Sequence, residues 1–168
     1  YRTYMILDNL LFIAKISPIF YFSIPIITYL YNSNKNHTVF LKGFIFSEIL
    51  NKSLKYFLKM PRPKNAGNCS IINKLKLFDL KSYGMPSGHS QCAWYSGIYY
   101  SLLIYFDTNY NKFTKIICIS GLLISSAFVS YSRVHIYCHT LFQVLYGGIL
   151  GGIIGILTYN KKNTITSI

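Results

Sequence analysis

Apolar residues run through this chain in long blocks rather than in the short alternations of a soluble fold. Five blocks approach the roughly 20 residues that cross a bilayer as helix. They lie over residues 9–31, 38–58, 88–106, 114–132 and 139–159, which predicts an all-α, multi-pass transmembrane helical bundle of about five spans, in one domain over 1–168. Polar connections separate them: a turn over 32–37, a longer loop from Lys59 to Pro86, a turn over 107–113 and a tight link over 133–138. Lys15, Pro18 and Pro25 interrupt the first block, predicting kinks and a partly interfacial helix. The fifth block carries Gly147, Gly151 and Gly155 at four-residue spacing, a small edge that lets a neighbouring helix approach closely. The first apolar run starts late and shows no cleavage site, so it does not read as a secretory signal. Because the chain opens on Tyr1, a further N-terminal segment is expected to be missing from it.

Composition agrees with membrane embedding: 52% of the 168 residues are hydrophobic and only 12% are charged, too apolar for an ordinary soluble domain. The charge is one-sided, 17 Lys+Arg against 4 Asp+Glu, which suits anionic lipid headgroups or a polyanionic ligand. Nucleic acid is excluded as the partner, because bilayer-length apolar runs interrupt the basic residues instead of leaving them on one soluble face.

Three short runs carry the candidate chemistry. Lys55 is followed, after six intervening residues, by Arg62-Pro63; Pro86-Ser87-Gly88-His89 opens the third block; Ser132-Arg133 closes the fourth, with His139 shortly after. In a five-span zigzag all of these fall at the same face of the membrane. Arg62 and Arg133 can meet phosphate oxygens with planar forks while Lys55 acts as a point charge. Ser87 and Gly88 offer a hydroxyl and backbone N–H groups at a helix N-terminus, where the dipole favours an anion. His139 and His89 can divide nucleophile and general-acid work, since imidazole titrates near neutrality. Taken together, these groups suit attack on a phosphate ester at a membrane surface.

In order and spacing the runs resemble the three signature motifs of the PAP2 (type 2 phosphatidic acid phosphatase) superfamily. Tyr83 to Pro86, Ser90-Gln91, Trp94, Val129 to Val134, His139-Thr140, Gln143 to Gly148 and Ser17-Pro18 are similar to its dolichyldiphosphatase branch. The resemblance implies a PAP2/chloroperoxidase-like helical core and a hydrolase needing neither metal nor cofactor. It implies cleavage of dolichyl or another polyprenyl diphosphate to the monophosphate, recycling the lipid carrier of protein N-glycosylation. By the same resemblance His139 attacks phosphorus to form a phosphohistidine and His89 protonates the leaving oxygen. Lys55, Arg62, Ser87, Gly88 and Arg133 cradle the phosphate. One position departs from the superfamily pattern: Gln143 stands where Asp would hold the nucleophile's other nitrogen. Its amide oxygen can accept that N–H but brings no negative charge.

Several residues have plainer readings. Cys69, Cys92, Cys118 and Cys138 are scattered and read as small buried hydrophobes. His135, Cys138 and His139 make half a metal site without further ligands, so no metal is expected. Glu48 and Lys52 are expected to pair on one face of the second span. The resemblance implies an endoplasmic-reticulum membrane with a lumenal site, and discounting the loop lysines tips the near-balanced positive charge the same way. The sequons Asn36-His37-Thr38 and Asn68-Cys69-Ser70 fall on opposite faces. Two alternatives stay open: a broader phosphatase acting on phosphatidic acid or another isoprenoid diphosphate, and a non-enzymatic lipid-binding membrane subunit.

Overall fold

A computed structural model describes residues 2–32, 35–66, 69 and 83–166. Lys74, Lys76 and Lys81 of the long loop, and Asn68 and Ser70 of the second sequon, lie outside the described residues. Those described form five helices and no strand: α1 (Arg2–Asn32), α2 (Lys35–Leu58), α3 (Gly88–Phe106), α4 (Lys112–His135) and α5 (Leu141–Thr166).

Three of these helices are long and apolar enough to cross a membrane by length and composition, over Asp8–Ile27, Lys112–His135 and Leu141–Lys162. Among the described residues α2 and α3 do not reach that standard. The reason lies in their polar content. α2 carries Lys42, Glu48, Lys52 and Lys55, and α3 carries three serines, Gln91 and several tyrosines, of which Tyr95 and Tyr99 are buried with the serines and Gln91. At 1.5 Å per residue α3 is about 28 Å long, close to the hydrocarbon thickness. The outer faces of α1, α4 and α5 present apolar side chains outward, as with Phe12, Ile124 and Leu157. α1 is one helix through both Pro18 and Pro25.

The centre of the bundle is α3. A Cβ at Gly151 would run into the backbone oxygen of Gln91, and one at Gly147 would lie 2.5 Å from that of Ser87. Glycine there allows α5 and α3 to pack backbone against backbone. On its other sides several polar groups of α3 find partners in neighbouring helices, although the Ser96 and Ser101 hydroxyls have none among the described residues. Ser126 Oγ of α4 donates to Ala93 O at 2.9 Å, and Trp94 Nε1 donates to Ser130 Oγ at 3.0 Å. Toward the end near Asn36, Phe40 and Phe44 of α2 pack among Tyr95 and Tyr99 with ring centroids 5.1–5.9 Å apart. The Tyr95 and Tyr99 hydroxyls donate to the Phe40 and Asn36 carbonyls.

Candidate active site

The turn between α4 and α5 shapes the site. After α4, Tyr137 takes a left-handed conformation with φ of 56°, its N–H donates to Val134 O and that of Cys138 to Arg133 O. This is the helix-ending pattern in which glycine is the usual residue, and a side chain there costs about 1–2 kcal/mol. His139 N–H also donates to Arg133 O, at 3.1 Å, folding the chain back on the helix end. α5 then begins with a reciprocal cap. Thr140 N–H donates to Gln143 Oε1 and Gln143 N–H donates to Thr140 Oγ1, at 3.2 and 3.3 Å. His139 therefore precedes α5 instead of opening it.

His139 is 3% exposed. Its Nδ1 lies 2.7 Å from Gly84 O and 3.2 Å from Gln143 Oε1. Both oxygens only accept, which assigns the proton to Nδ1 and leaves the Nε2 lone pair free. Burial first, then the charges of Arg62 and Lys55, lower its pKa to about 3, so the ring is neutral near pH 7. The principal acceptor is thus Gly84 O, where the sequence pointed only to Gln143. Gln143 meanwhile uses its amide nitrogen, donating to Pro61 O at 2.9 Å. Aspartate could not make that bond. Gly84 N–H donates to Met60 O, so Gln143 sits where both ends of the long loop cross the start of α5. A Cβ on Gly84 would fall 2.6 Å from Gln143 Nε2.

The structure brings the other sequence-predicted residues to the same end of the bundle. Arg133 is fully buried; its Nε donates to Ser132 Oγ at 3.1 Å, and neither terminal nitrogen has a partner among the described residues. Ser87 Oγ is likewise buried and unpaired among them. Ser87 N–H, expected to face an anion, instead donates to Gln143 O at 3.1 Å, because close α3–α5 packing brings that carbonyl to it. Gly88 opens α3 beside Asn51, whose Oδ1 would be 3.5 Å from an added Cβ. Arg62 Nη1 donates to Cys138 O at 3.5 Å, and Lys55 stands half-buried in the last turn of α2. Lys55, Arg62 and Arg133 all lie within coulombic reach of His89. His89 Nε2 meets Lys15 O at 3.0 Å, giving α1 a backbone contact with the site that sequence reasoning missed.

A buried amide network fixes α2 to α3 beneath these groups. Asn51 Nδ2 donates to Gln91 Oε1 at 2.7 Å, and Gln91 Nε2 donates to Ser47 O and Oγ, both at 2.8 Å. Glu48 is turned to Cys92, accepting from Sγ at 2.8 Å, while Lys52 is exposed; the expected Glu48–Lys52 pair gives way to this contact. Cys69 and Cys138 form a disulfide, correcting their reading as free buried hydrophobes, whereas Cys92 and Cys118 are free. His135 stacks on Tyr131 with centroids 5.5 Å apart.

The sequence model of the PAP2 superfamily matches residues 36–167, spanning all of these groups except Lys15. The chain belongs to the PAP2 superfamily. Among PAP2 relatives it is similar to dolichyldiphosphatase 1 of Homo sapiens, 35% identical over 156 residues, covering 88% of this chain and 62% of that protein. It is similar also to the dolichyldiphosphatase of Saccharomyces cerevisiae, 35% identical over 118 residues, covering 70% of this chain and 48% of the yeast protein. The chain thus spans less than two thirds of the length of either relative. Its fold is that of a transmembrane PAP2 type phosphatidylglycerolphosphate phosphatase from Bacillus subtilis. The TM-score is 0.71 at 20% identity, over 96% of this chain and 77% of the bacterial one.

Proposed function

We propose that this chain hydrolyses a polyprenyl diphosphate, dolichyl diphosphate, releasing inorganic phosphate and the monophosphate. One observation carries the reading: a neutral imidazole, oriented by Gly84 O, stands in a site shared with the fully buried Arg133 guanidinium, whose terminal nitrogens have no partner among the described residues. Such a cation calls for an anion. His139 Nε2 attacks the terminal phosphorus, and the bond from phosphorus to the bridging oxygen breaks as His89, in its doubly protonated form, gives that oxygen its Nδ1 proton. His89 then takes a proton from water, the oxygen of that water attacks phosphorus, and the N–P bond breaks to free phosphate. Arg133, Arg62, Lys55 and Ser87 stabilise the charge on the transferring group, with no metal ion taking part. Lys15 O holds His89 Nε2–H, leaving Nδ1 to exchange protons.

The dolichyl preference rests on the likeness to the two dolichyldiphosphatases, and recycling of the N-glycosylation carrier follows from that substrate. The setting is an endoplasmic-reticulum membrane with the site in the lumen. The Cys69–Cys138 bond at the site supports this orientation, because disulfides persist on the oxidising side of a membrane.

The test is phosphate release by detergent-solubilised protein from dolichyl diphosphate, dolichyl monophosphate and phosphatidic acid in EDTA, beside His139→Ala. Turnover selective for the diphosphate and lost in the variant is the expected result. Preference for phosphatidic acid moves the chain to the broader lipid phosphatases. No turnover by folded protein leaves the lipid-binding reading.

A further inference from the structure

The covalent link nearest the candidate nucleophile is the Cys69–Cys138 disulfide. Cys138 immediately precedes His139, and its sulfur is joined to a residue of the long loop, 69 positions earlier. The other anchors of this turn are modest. Cys138 and His139 share one acceptor, Arg133 O, and Cys138 O receives Arg62 Nη1 only at 3.5 Å, the outer limit of a hydrogen bond. One residue before the cystine, Tyr137 holds a left-handed backbone that its own side chain disfavours. The cystine is enclosed, with Cys69 7% and Cys138 1% exposed, and the turn it secures carries the imidazole, the Arg62 contact and the cap of α5.

We propose that the Cys69–Cys138 disulfide is a positioning bond for His139, so that phosphoryl transfer proceeds from the oxidised protein and falls when the bond is opened. This rests on the reading of His139 as nucleophile. The cysteines touch no reacting atom; they set where the turn stands relative to Gly84 O and the Arg62 side chain. A dithiol reductant opens the bond by transferring two electrons and two protons, giving two cysteine thiols and its own cyclic disulfide. Displacement of the imidazole by about 1 Å suffices for a roughly 100-fold loss in rate. The site becomes thiol-sensitive without a cysteine in the chemistry.

The experiment compares full-length oxidised protein with Cys69→Ser, Cys138→Ser, the double variant and Cys118→Ser, measuring kcat and KM for dolichyl diphosphate and thermal melting in detergent. Each single variant is expected to lose about 10- to 100-fold in kcat with KM changed less than threefold. The double variant should be no worse than either single one, because one bond is lost in all three. Cys118→Ser should match the starting protein, and prolonged dithiothreitol under partial denaturation, then refolding, should slow only proteins that have the bond. Stabilisation by tungstate, a phosphate mimic, is read in parallel, and the singles should bind it more weakly by about tenfold. Full kcat in Cys69→Ser, or additive losses in the double variant, would overturn the proposal. If the oxidised protein turns over no lipid, the functional reading fails. Tungstate binding then decides the positioning role on its own: equal affinity in Cys69→Ser and the starting protein sinks it.

Discussion

The carbonyl oxygen of Arg133 accepts the backbone N–H of His139 at 3.1 Å, while the side chain of the same arginine supplies a buried guanidinium to the site. One residue thus holds the main chain of the imidazole and places a buried charge in the same site. Arg133→Lys keeps the charge and the carbonyl but loses the planar fork. We expect kcat/KM for dolichyl diphosphate to fall roughly 100-fold in this variant, with melting temperature changed little, as read by phosphate release and a detergent melt.

Gln143 accepts from His139 and Thr140 and donates to Pro61 O, so its substitutions separate these roles. Gln143→Leu should lose about 1 kcal/mol of stability with the helix cap, together with most activity. Gln143→Glu keeps the acceptor and adds a negative charge that favours imidazolium. Its pH–kcat/KM profile should lose activity at a higher pH on the acid side than the starting protein. An unchanged acid limb would place the carboxylate away from the ring.

The pKa of His139 is lowered to about 3, chiefly by burial. Below the ordinary histidine value of about 6.5 the unfolded chain gains a proton at this position that the folded protein does not. The unfolded state therefore binds more protons, and stability contributed by His139 is complete above pH 6.5 and declines as pH falls towards 3. Melting temperatures between pH 7 and 4 should consequently fall less steeply in His139→Asn than in the unsubstituted protein. Parallel curves would show that burial does not hold the ring neutral.

Glycines in the bundle are not equivalent. An alanine Cβ at Gly151 meets the Gln91 backbone, which cannot yield, whereas one at Gly121 on α4 meets nothing within 4 Å. Gly151→Ala is expected to destabilise by about 1–3 kcal/mol. Gly121→Ala is expected to stabilise by about 0.4–1 kcal/mol through helix propensity and the unfolded state. Thermal melts in one detergent check both.

Much of the architecture was legible because apolar blocks of bilayer length have few folding solutions, and because the motif residues sit where those blocks end. The start of α3 follows from Pro86 through Gly88. Missed details had weaker sequence signals. Gly84 O and Lys15 O are backbone acceptors, and any residue type could supply them. Cys69 and Cys138 are 69 residues apart, so their pairing has no local pattern. The Thr140-x-x-Gln143 cap was readable and would have started α5 at Leu141, but an apolar block cannot mark its own edge to within two residues. Ser90, Gln91 and Ser96 of α3 are buried against neighbouring helices, and block length alone does not record which face of a helix meets lipid.

α5 carries none of the three cations and neither histidine of the site, yet the site depends on it. Gln143 O receives Ser87 N–H, Gln143 Oε1 faces His139, Gln143 Nε2 ties down Pro61, and Val144 O receives Ser90 Oγ. A chain halted on the ribosome at residue 140 would already contain every group assigned to the chemistry and would still lack the element that arranges them. Competence is therefore expected only once α5 is in place, and a chain without it is expected to be inert towards the lipids around it.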